Sequence, residues 1–461
     1  MIVNNWYVFF DFQNWRDCSS EHDWADPQGI LNKGVILNSD PDAHLQSVKE
    51  MTLFSEDLHY KKADTCIECG FCEHVCPSRY VTLTPRQRLQ ARRIIARTGN
   101  PQLEKEYDYI GEQTCAADGM CQMPCPMGIS TAVVTDAIRS KKATKTASDI
   151  LHYAAGHFDA VETDLRAMLK LAVGTERVVS PYPLIWATDF LHRMFRQMPH
   201  WSAHFPMPRK LHYREETDPD YIYFPACVTR IFGASALHKD DLMTVILRIA
   251  GKAGVRVSLP AEAHGLCCSQ IWEHKGNVEG QKITANRTVA CFYDWSERGR
   301  IPIFCDTTSC THTLLSETGG NILTPENQEK YKQLKIIDIT QWLNEIILPK
   351  IKEIKPKNRV LLHPTCSCQI MNLTPVMLDI ARKCAREVIL PDNWGCCGAS
   401  GDRGFIFPEL SESATQDERY EISDQQFDGC YSLARTCEIV MQDHIKQPYE
   451  SIVYLVDETI G

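Results

Sequence analysis

The pattern of hydrophobic and polar positions changes near Tyr221. From there on, short apolar runs rich in β-branched and aromatic residues alternate with longer helical stretches. The runs are YIYF at 221–224, VRVSL at 255–259, IPIF at 301–304, RVLLH at 359–363 and EVIL at 387–390. This alternation predicts an α/β fold with parallel strands. Residues 146–215 have a helical pattern without clusters of ligand-type residues, and we expect a helical connector there.

A helix start lies just before Pro85. Thr84 can serve as the N-cap, Pro85 suits the first turn, and Gln87 stands three residues after the cap. Gly99-Asn100-Pro101 predicts the helix end. The helix carries five arginines, Arg86, Arg88, Arg92, Arg93 and Arg97. Two interpretations are open for them: a solvated face, or a docking face for an acidic partner or anionic lipid.

The stretch 181–209 mixes large apolar side chains with His and Arg. It fits an amphipathic helix at a membrane interface. It also fits a helix that packs against its own protein, and we favour this second interpretation.

The second half of the chain contains an internal repeat. Phe224-Pro225-Ala226-Cys227 is echoed by His363-Pro364-Thr365-Cys366, Cys267-Cys268 by Cys396-Cys397, and Cys310 by Cys437. The offsets are 139, 129 and 127 residues. Paired cysteines that recur in register are hard to explain as buried small hydrophobic residues. We therefore expect two related α/β modules, module 1 (220–350) and module 2 (358–461).

Composition narrows the class of protein. The chain has 461 residues and 21 cysteines, with a net charge of −10. Clustered cysteines in a long chain without a recognisable secretory signal indicate metal binding in a reducing compartment. The negative charge argues against a nucleic-acid partner. No run of eighteen apolar residues is present in the sequence, so no membrane-spanning helix is expected.

The strongest chemical motif is a run of four cysteines. Cys66, Cys69, Cys72 and Cys76, followed by Pro77, have the C-x2-C-x2-C-x3-C-P spacing of a bacterial ferredoxin. Zinc sites usually use two separated cysteine pairs instead. The region 55–145 is therefore predicted to be a helical ferredoxin-like domain with two iron–sulfur clusters.

A second run has one substitution. Cys115, Cys121 and Cys125 keep the spacing, but Asp118 stands where a cysteine is expected. In two-cluster ferredoxins the fourth cysteine of each run binds the other cluster. We therefore assign Cys66, Cys69, Cys72 and Cys125 to cluster 1, a [4Fe–4S] cluster, and Cys76, Cys115 and Cys121 to cluster 2, with Asp118 as candidate fourth ligand. A carboxylate is a harder ligand than a thiolate, so cluster 2 is predicted to be [4Fe–4S] or [3Fe–4S]. If Arg79 and Arg86 face the clusters, they would favour the reduced state.

These motifs resemble a known family. CIECGFCEHVCPSRYVTLTPRQRLQARR at 66–93 and TCAADGMCQMPCPMGIS at 114–130 resemble the iron–sulfur half of FAD-linked, NAD-independent D-lactate dehydrogenases. GCCGASGDRGFIFPELSESAT at 395–415 and residues 432–458 are similar to the C-terminal part of that family. The repeated modules resemble the CCG domains of heterodisulfide reductase subunits and of related iron–sulfur subunits.

The resemblance implies two further ligand sets. One is Cys227, Cys267, Cys268 and Cys310 in module 1, and the other is Cys366, Cys396, Cys397 and Cys437 in module 2. Each set could hold an additional iron–sulfur cluster. The family pattern ends each module in C-x2-C, whereas here Cys305 precedes Cys310 by five residues and Cys430 precedes Cys437 by seven. Cys368 is a further spare, and Cys18, Cys291 and Cys384 fit no set and are expected to be structural.

The resemblance also implies a flavin partner. DPQGILNKGVI at 26–36 resembles the last loop of a flavin-linked oxidase domain, so residues 24–50 are interpreted as a remnant of that domain. Residues 1–23 match nothing else. Either the chain is part of a longer enzyme or it is a subunit whose partner carries FAD, and we favour the first. No catalytic acid or base is expected on this chain.

The function implied by the resemblance is one-electron transfer within a D-2-hydroxyacid dehydrogenase. Electrons would pass from FAD through the clusters to quinone or a cytochrome, and the cytoplasmic location would allow peripheral contact with the inner face of the membrane. Two alternatives remain: an iron–sulfur subunit for glycolate or glycerol-3-phosphate oxidation, and a heterodisulfide-reductase-like thiol enzyme.

Overall fold

The computed structural model describes residues 58–233, 237–316 and 322–461. All of them belong to one compact unit, Leu53–Gly461. The segments 1–23 and 24–50, and with them Cys18, lie outside the described residues, and the predictions for them stay predictions.

The ferredoxin-like region and the connector are helical. The helices are α1 (Leu58–Asp64), α2 (Pro85–Thr98), α3 (Pro101–Tyr107), α4 (Thr131–Lys142), α5 (Lys145–Gly156), α6 (Phe158–Val178) and α7 (Tyr182–Met194). A π-helical turn spans Asp108–Gln113, and a 3-10 turn spans Met120–Gln122. The predicted start of α2 is confirmed, since Thr84 is the N-cap, the Gln87 side chain accepts from the Thr84 N–H at 2.9 Å, and Gly99 ends the helix.

Modules 1 and 2 each form a four-stranded parallel sheet with helices. In module 1 the elements are β1 (Tyr221–Phe224), α8 (Cys227–Phe232), α9 (Leu242–Lys252), β2 (Val257–Ser258), α10 (Gln270–His274), α11 (Val278–Trp295), β3 (Ile303–Cys305), α12 (Thr308–Ser316), α13 (Pro325–Tyr331), β4 (Ile336–Asp338) and α14 (Ile339–Gln341). Ala261–Ala263, Trp342–Ile347 and Leu348–Lys350 are short 3-10 or π turns. In module 2 they are β5 (Lys357–Leu362), α15 (Cys366–Ile370), α16 (Thr374–Cys384), β6 (Ala385–Ile389), α17 (Arg403–Ile406), α18 (Pro408–Ile422), β7 (Gly429–Ser432), α19 (Arg435–Ile445), β8 (Tyr449–Ser451) and α20 (Ile452–Thr459).

The two sheets have the same strand order. It is β2-β1-β3-β4 in module 1 and β6-β5-β7-β8 in module 2, with every neighbouring pair parallel. The prediction of an α/β fold with parallel strands is therefore confirmed. The sequence pattern did not indicate β4, β7 and β8.

The two sheets bury both faces. Tyr223 and Phe304 of module 1 share one apolar core with Val360, Leu362 and Tyr431 of module 2. The intervening strand residues point the other way, so that Ile222 and Phe224 pack in a second core and Leu361 in a third. Successive side chains of a strand alternate between faces, which explains this division. Cysteine-bearing segments follow the carboxyl ends of the central strands, where open α/β sheets place their sites.

Helix α7 exposes an apolar stripe. Tyr182, Trp186, Phe190 and Met194 recur every fourth residue and are 76%, 71%, 49% and 62% exposed. Other residues of the stretch 181–209 pack against the protein as expected, since His192 is buried and Phe205 contacts Phe232 and Phe405. No helix in the described ranges is long and apolar enough to cross a membrane.

Candidate metal centres

The thiols predicted for cluster 1 come from both cysteine runs. Cys66 and Cys72 lie near each other, and both lie near Cys125 of the second run. Burial raises the pKa of the Cys66 thiol and raises that of Cys72 to about 11. Cys69 is exposed in the same loop, which Gly70 turns with a φ of +82°. Three of the four predicted side chains are thus brought together, on a partly exposed face.

The thiols predicted for cluster 2 are buried. Arg88 lies beside both Cys76 and Cys115, and Cys115 is also near Cys121. The Thr131 N–H, at the start of α4, donates to the Cys121 sulfur at 3.3 Å. Burial raises the pKa of Cys121 to about 12. A peptide N–H directed at a sulfur is one of the contacts that set the potential of an iron–sulfur cluster.

Asp118 lies between cluster 2 and module 2. Its carboxyl group is near Cys121 on one side and lies against the thiol of Cys396 on the other. The Oδ1 atom accepts from the Met120 N–H at 3.2 Å, and the buried Oδ2 atom accepts from no N–H or O–H group. Burial raises the pKa of Asp118. Its role as a ligand of cluster 2 stays a prediction.

The arginine beside the clusters is Arg88. Its guanidinium donates to Gly111 O at 2.8 Å, Ser78 Oγ at 2.8 Å and Thr114 O at 3.1 Å, and lies 3.5 Å from the Cys76 sulfur. Only 2% of Arg88 is exposed, so the solvated-face and docking-face interpretations are both wrong for it. A fixed positive charge at this sulfur favours the more negative, reduced state of a cluster.

The other arginines near the first run bind carboxylates. Arg79 pairs with Asp417 of module 2 at 2.6 Å, and Arg86 pairs with Glu73 at 2.9 Å. Arg92 pairs with Glu104 at 2.9 Å and Arg93 with Glu68 at 3.0 Å. These ion pairs offset much of each positive charge. The expectation that Arg79 and Arg86 favour cluster reduction stays a prediction, and Arg88 is a further candidate because its guanidinium lies at the Cys76 sulfur.

Five thiols converge in module 1. Cys227 contacts Cys267, Cys268 contacts both Cys267 and Cys310, and Cys310 contacts Cys305. The neighbouring thiols of Cys267 and Cys310 donate to Cys268 and lower its pKa. The structure brings the four predicted residues together and adds Cys305, which the sequence left as a spare.

A buried ion pair supports this group. Arg230 of α8 donates to the Glu162 carboxylate of α6 at 2.8 Å, and both side chains are fully buried. Arg230 also donates to Leu266 O at 2.6 Å, beside the cysteine doublet. Glu162 accepts in addition from the Gly265 N–H at 3.1 Å. The pair fixes the connector helix to the loop that carries Cys267.

Four thiols converge in module 2. Cys396 contacts Cys366, Cys397 contacts Cys437, and Cys437 is near Cys366. Donation from the Cys437 thiol lowers the pKa of Cys397. The Gly398 N–H donates to the Cys396 sulfur at 3.4 Å, as the Ser269 N–H does to Cys267 in module 1. All four predicted residues are brought together.

A histidine lies at the same group. His363 Nδ1 is 2.9 Å from Glu418 Oε2, and the imidazole lies within hydrogen-bond reach of the Cys397 thiol on its other side. Burial opposes protonation, but the Glu418 carboxylate raises the pKa of His363 to about 10. Sequence reasoning missed this pair, although His363 begins the repeated His-Pro-Thr-Cys motif.

The remaining cysteines have apolar surroundings. Cys368 and Cys384 belong to the core shared by the two sheets, and Cys430 belongs to the core behind β5. Cys291 packs at the edge of the module 1 core. A structural role fits these four residues.

The donor atoms fit iron–sulfur clusters. Thiolates are the ligands of such clusters, and three of the groups include a peptide N–H that donates to a sulfur. In the described ranges no three Cys, His, Asp or Glu side chains form a group that would hold a single metal ion. A cluster sets a different requirement, because its ligands bind different irons.

Comparison with known families gives one match. Residues 62–129 match the family model of the 4Fe-4S dicluster domain. A search of curated proteins found no match to the chain. The match covers both cysteine runs, and together with the 21 cysteines it supports an iron–sulfur protein with a role in electron transfer.

Proposed function

We propose that this chain is the electron-transfer part of a flavin-linked dehydrogenase of D-2-hydroxyacids, with D-lactate as the favoured substrate. The main observation in support of the electron-transfer role is that Cys125, a thiol of the second run, lies close to Cys66 and Cys72 of the first run. This exchange is the ligand arrangement of two-cluster ferredoxins. When bound, the clusters would accept and release single electrons.

The cluster 1 face is where a flavin partner would dock. Cys69 is exposed there, and Ile67 and Phe71 of the same loop are 58% and 60% exposed. Met123, beside Cys125, is also exposed. Apolar side chains that surround a redox centre at the surface suit a contact that brings a reduced flavin close to it.

The cluster 2 side leads into the protein. Cys76, Cys115 and Cys121 are buried, and Arg88 places a positive charge at Cys76. Ala116 and Met120 pack in one apolar cluster with Cys396 and Leu410 of module 2. An electron leaving cluster 2 would therefore meet module 2 first, and the two modules would lead toward quinone or a cytochrome.

The substrate assignment rests on the family resemblance of 66–93, 114–130 and 395–415. Oxidation of a D-2-hydroxyacid to its 2-oxoacid releases two electrons and two protons. FAD in a preceding domain or partner subunit would take up both electrons, and the clusters would remove them one at a time. This chain would hold, insulate and tune the one-electron carriers.

A membrane surface is the proposed neighbour of helix α7. Its stripe of Tyr182, Trp186, Phe190 and Met194 is exposed, and aromatic residues suit the interfacial region of a bilayer. Residues 165–200 carry five Lys or Arg against two Asp or Glu, although the whole chain has a net charge of −10. Local positive charge beside apolar side chains suits anionic lipid and a quinone acceptor dissolved in it.

The direct test is anaerobic reconstitution of the full chain with iron and sulfide. We expect brown protein in which the three-iron or four-iron EPR signal of the ferredoxin-like region disappears in a Cys72→Ser/Cys121→Ser variant, while Cys291→Ser, a matched control, retains it. Colourless wild-type protein would refute the electron-transfer role.

The substrate is tested by adding the flavin half. D-lactate should then reduce the clusters faster than glycolate or glycerol 3-phosphate does. A preference for either of the other two substrates would replace the D-lactate assignment. Reduction of a disulfide by the dithionite-reduced chain would favour the heterodisulfide alternative, for which the five-thiol group of module 1 is the supporting observation.

A further inference from the structure

Module 2 has one thiol fewer than module 1 at its centre. Cys305 contacts Cys310 in module 1. The offset that relates Cys310 to Cys437 relates Cys305 to Ser432. The Ser432 hydroxyl donates to the backbone oxygen of His363 at 2.8 Å and is therefore not directed at the thiols. Module 2 thus has no fifth thiol at the position that corresponds to Cys305, although the His363 imidazole faces Cys397 from the other side.

A donor from the ferredoxin-like region reaches the same centre. The Asp118 carboxyl group lies within hydrogen-bond reach of the Cys396 thiol, and its buried Oδ2 atom accepts from no N–H or O–H group. A buried carboxyl group in this position is either protonated or, when ionised, needs a cation or a metal beside it. The adjoining Ala116 and Met120 pack with Cys396 in an apolar cluster that shields this oxygen from water.

The contact is held from several directions. Arg79 pairs with Asp417 at 2.6 Å, and Ser413 Oγ donates to Pro77 O at 2.6 Å. Arg403 donates to Gln113 O at 2.6 Å, immediately before the second cysteine run. These bonds connect both cluster loops to helices α17 and α18 of module 2, so the position of Asp118 is set by the interface and not by its own loop alone.

We propose that Asp118 is a ligand of the module 2 iron centre, contributed from the ferredoxin-like region, and is not the fourth ligand of cluster 2. This inference rests on the proposed iron–sulfur function. Cluster 2 then keeps three thiolates, Cys76, Cys115 and Cys121, which is the ligand number of a three-iron cluster. Asp118 also joins the two centres in one connected structure, so an electron has a short route between them.

The test is a double-mutant cycle on the reconstituted full chain labelled with ⁵⁷Fe. One change is Asp118→Asn, which keeps the size of the side chain and removes its charge. The other is Cys396→Ser/Cys397→Ser, which removes the module 2 centre. Asp417→Asn is the matched control, because it breaks a contact across the same interface without touching a centre. Iron retention against a chelator and Mössbauer spectra are measured for every variant.

We expect Asp118→Asn to weaken retention of the module 2 iron by at least about tenfold, the range seen even for residues behind a ligand. In the Cys396→Ser/Cys397→Ser background the same change should cause no further loss, and Asp417→Asn should leave the spectra as in the wild type.

Three results would overturn the inference. They are an additive loss that includes the cluster 2 signal, a loss of equal size in Asp417→Asn, and wild-type protein whose module 2 takes up no iron. In the last case an intact signal from the ferredoxin-like region would leave the proposed function standing.

Discussion

Modules 1 and 2 share a strand order but differ in the groups that surround their cysteines. Both sheets follow the same parallel topology, and both place a cysteine doublet among other thiols. Among the positions related by the repeat offsets that differ, Phe224 corresponds to His363, Arg230 to Gln369, and Cys305 to Ser432. The repeat therefore preserves the scaffold and the thiols, while the polar surroundings have diverged.

Each module contains a buried ion pair, but the residues that form the pair differ. Module 1 neutralises Arg230 with Glu162, which comes from the connector helix α6. Module 2 has an uncharged Gln369 at the corresponding position and instead pairs His363 with Glu418 of its own helix α18. Both pairs lie beside a thiol group. If both thiol groups hold clusters, these different charges predict different reduction potentials for the two centres.

The largest expected effect comes from removing either doublet. Cys267→Ser/Cys268→Ser should abolish iron binding in module 1, and Cys396→Ser/Cys397→Ser should do so in module 2, because each doublet contacts the other thiols of its group. Iron analysis and Mössbauer spectroscopy of the two variants measure this. The ferredoxin-like signal should remain in both.

The same two variants also test whether modules 1 and 2 are both metal centres. If only one doublet matters for iron content, only one module is a metal centre and the other keeps the fold without the chemistry. If neither matters, the thiols are structural and the likeness of the modules is one of scaffold alone.

A smaller effect is expected from separating the buried charges. Arg230→Leu leaves Glu162 buried without its cation, and His363→Phe, which copies Phe224, does the same to Glu418. Each change should lower the free energy of unfolding by about 3–5 kcal/mol, the usual result of removing one partner of a buried pair. Urea unfolding of the reconstituted chain measures this.

The matched control is the double variant Arg230→Leu/Glu162→Leu. It removes both charges, so it should lose much less than Arg230→Leu alone. An equal loss in the single and double variants would show that packing, and not the unpaired carboxylate, sets the cost.

These pairs also show how far sequence reasoning reached. The spacing of the first cysteine run predicted the ferredoxin-like thiols, and the apolar runs predicted the parallel sheets, because each depends on local order along the chain. The cysteine groups of modules 1 and 2 were implied by the family resemblance together with the repeat. Arg88, Glu162 and Glu418 could not be found in this way. Their partners lie 12, 68 and 55 residues away in sequence, and burial alone distinguishes them from surface charges.

The contact of Asp118 with module 2 is another feature that the sequence could not predict. The place of this residue in the second run predicts a ligand of the nearest cluster, but its contact with Cys396 depends on how two regions pack. The strands β4, β7 and β8 were missed for a related reason. They are only three or four residues long, and their neighbours in the sheet, not their own pattern, make them strands.

The smallest expected effect concerns the residue after each doublet. Both modules need the left-handed conformation there: Gly398 has a φ of +77° and Ser269 a φ of +85°. A side chain in this conformation costs about 1–2 kcal/mol. Module 1 has this cost at Ser269, whereas module 2 has a glycine, Gly398, and does not. A Cβ on Gly398 would also stand 3.0 Å from the Ser411 Cα, which is backbone and cannot move aside.

Gly398→Ser, which copies module 1, should therefore destabilise the chain by more than about 1–2 kcal/mol in urea unfolding, since strain and a clash add. The reverse change, Ser269→Gly, should alter stability by less than about 1 kcal/mol, because relief of strain offsets the lost hydrogen bond from Thr284. Equal effects in the two directions would show that the doublets sit in equivalent backbone surroundings, and the divergence of the modules would then be confined to their side chains.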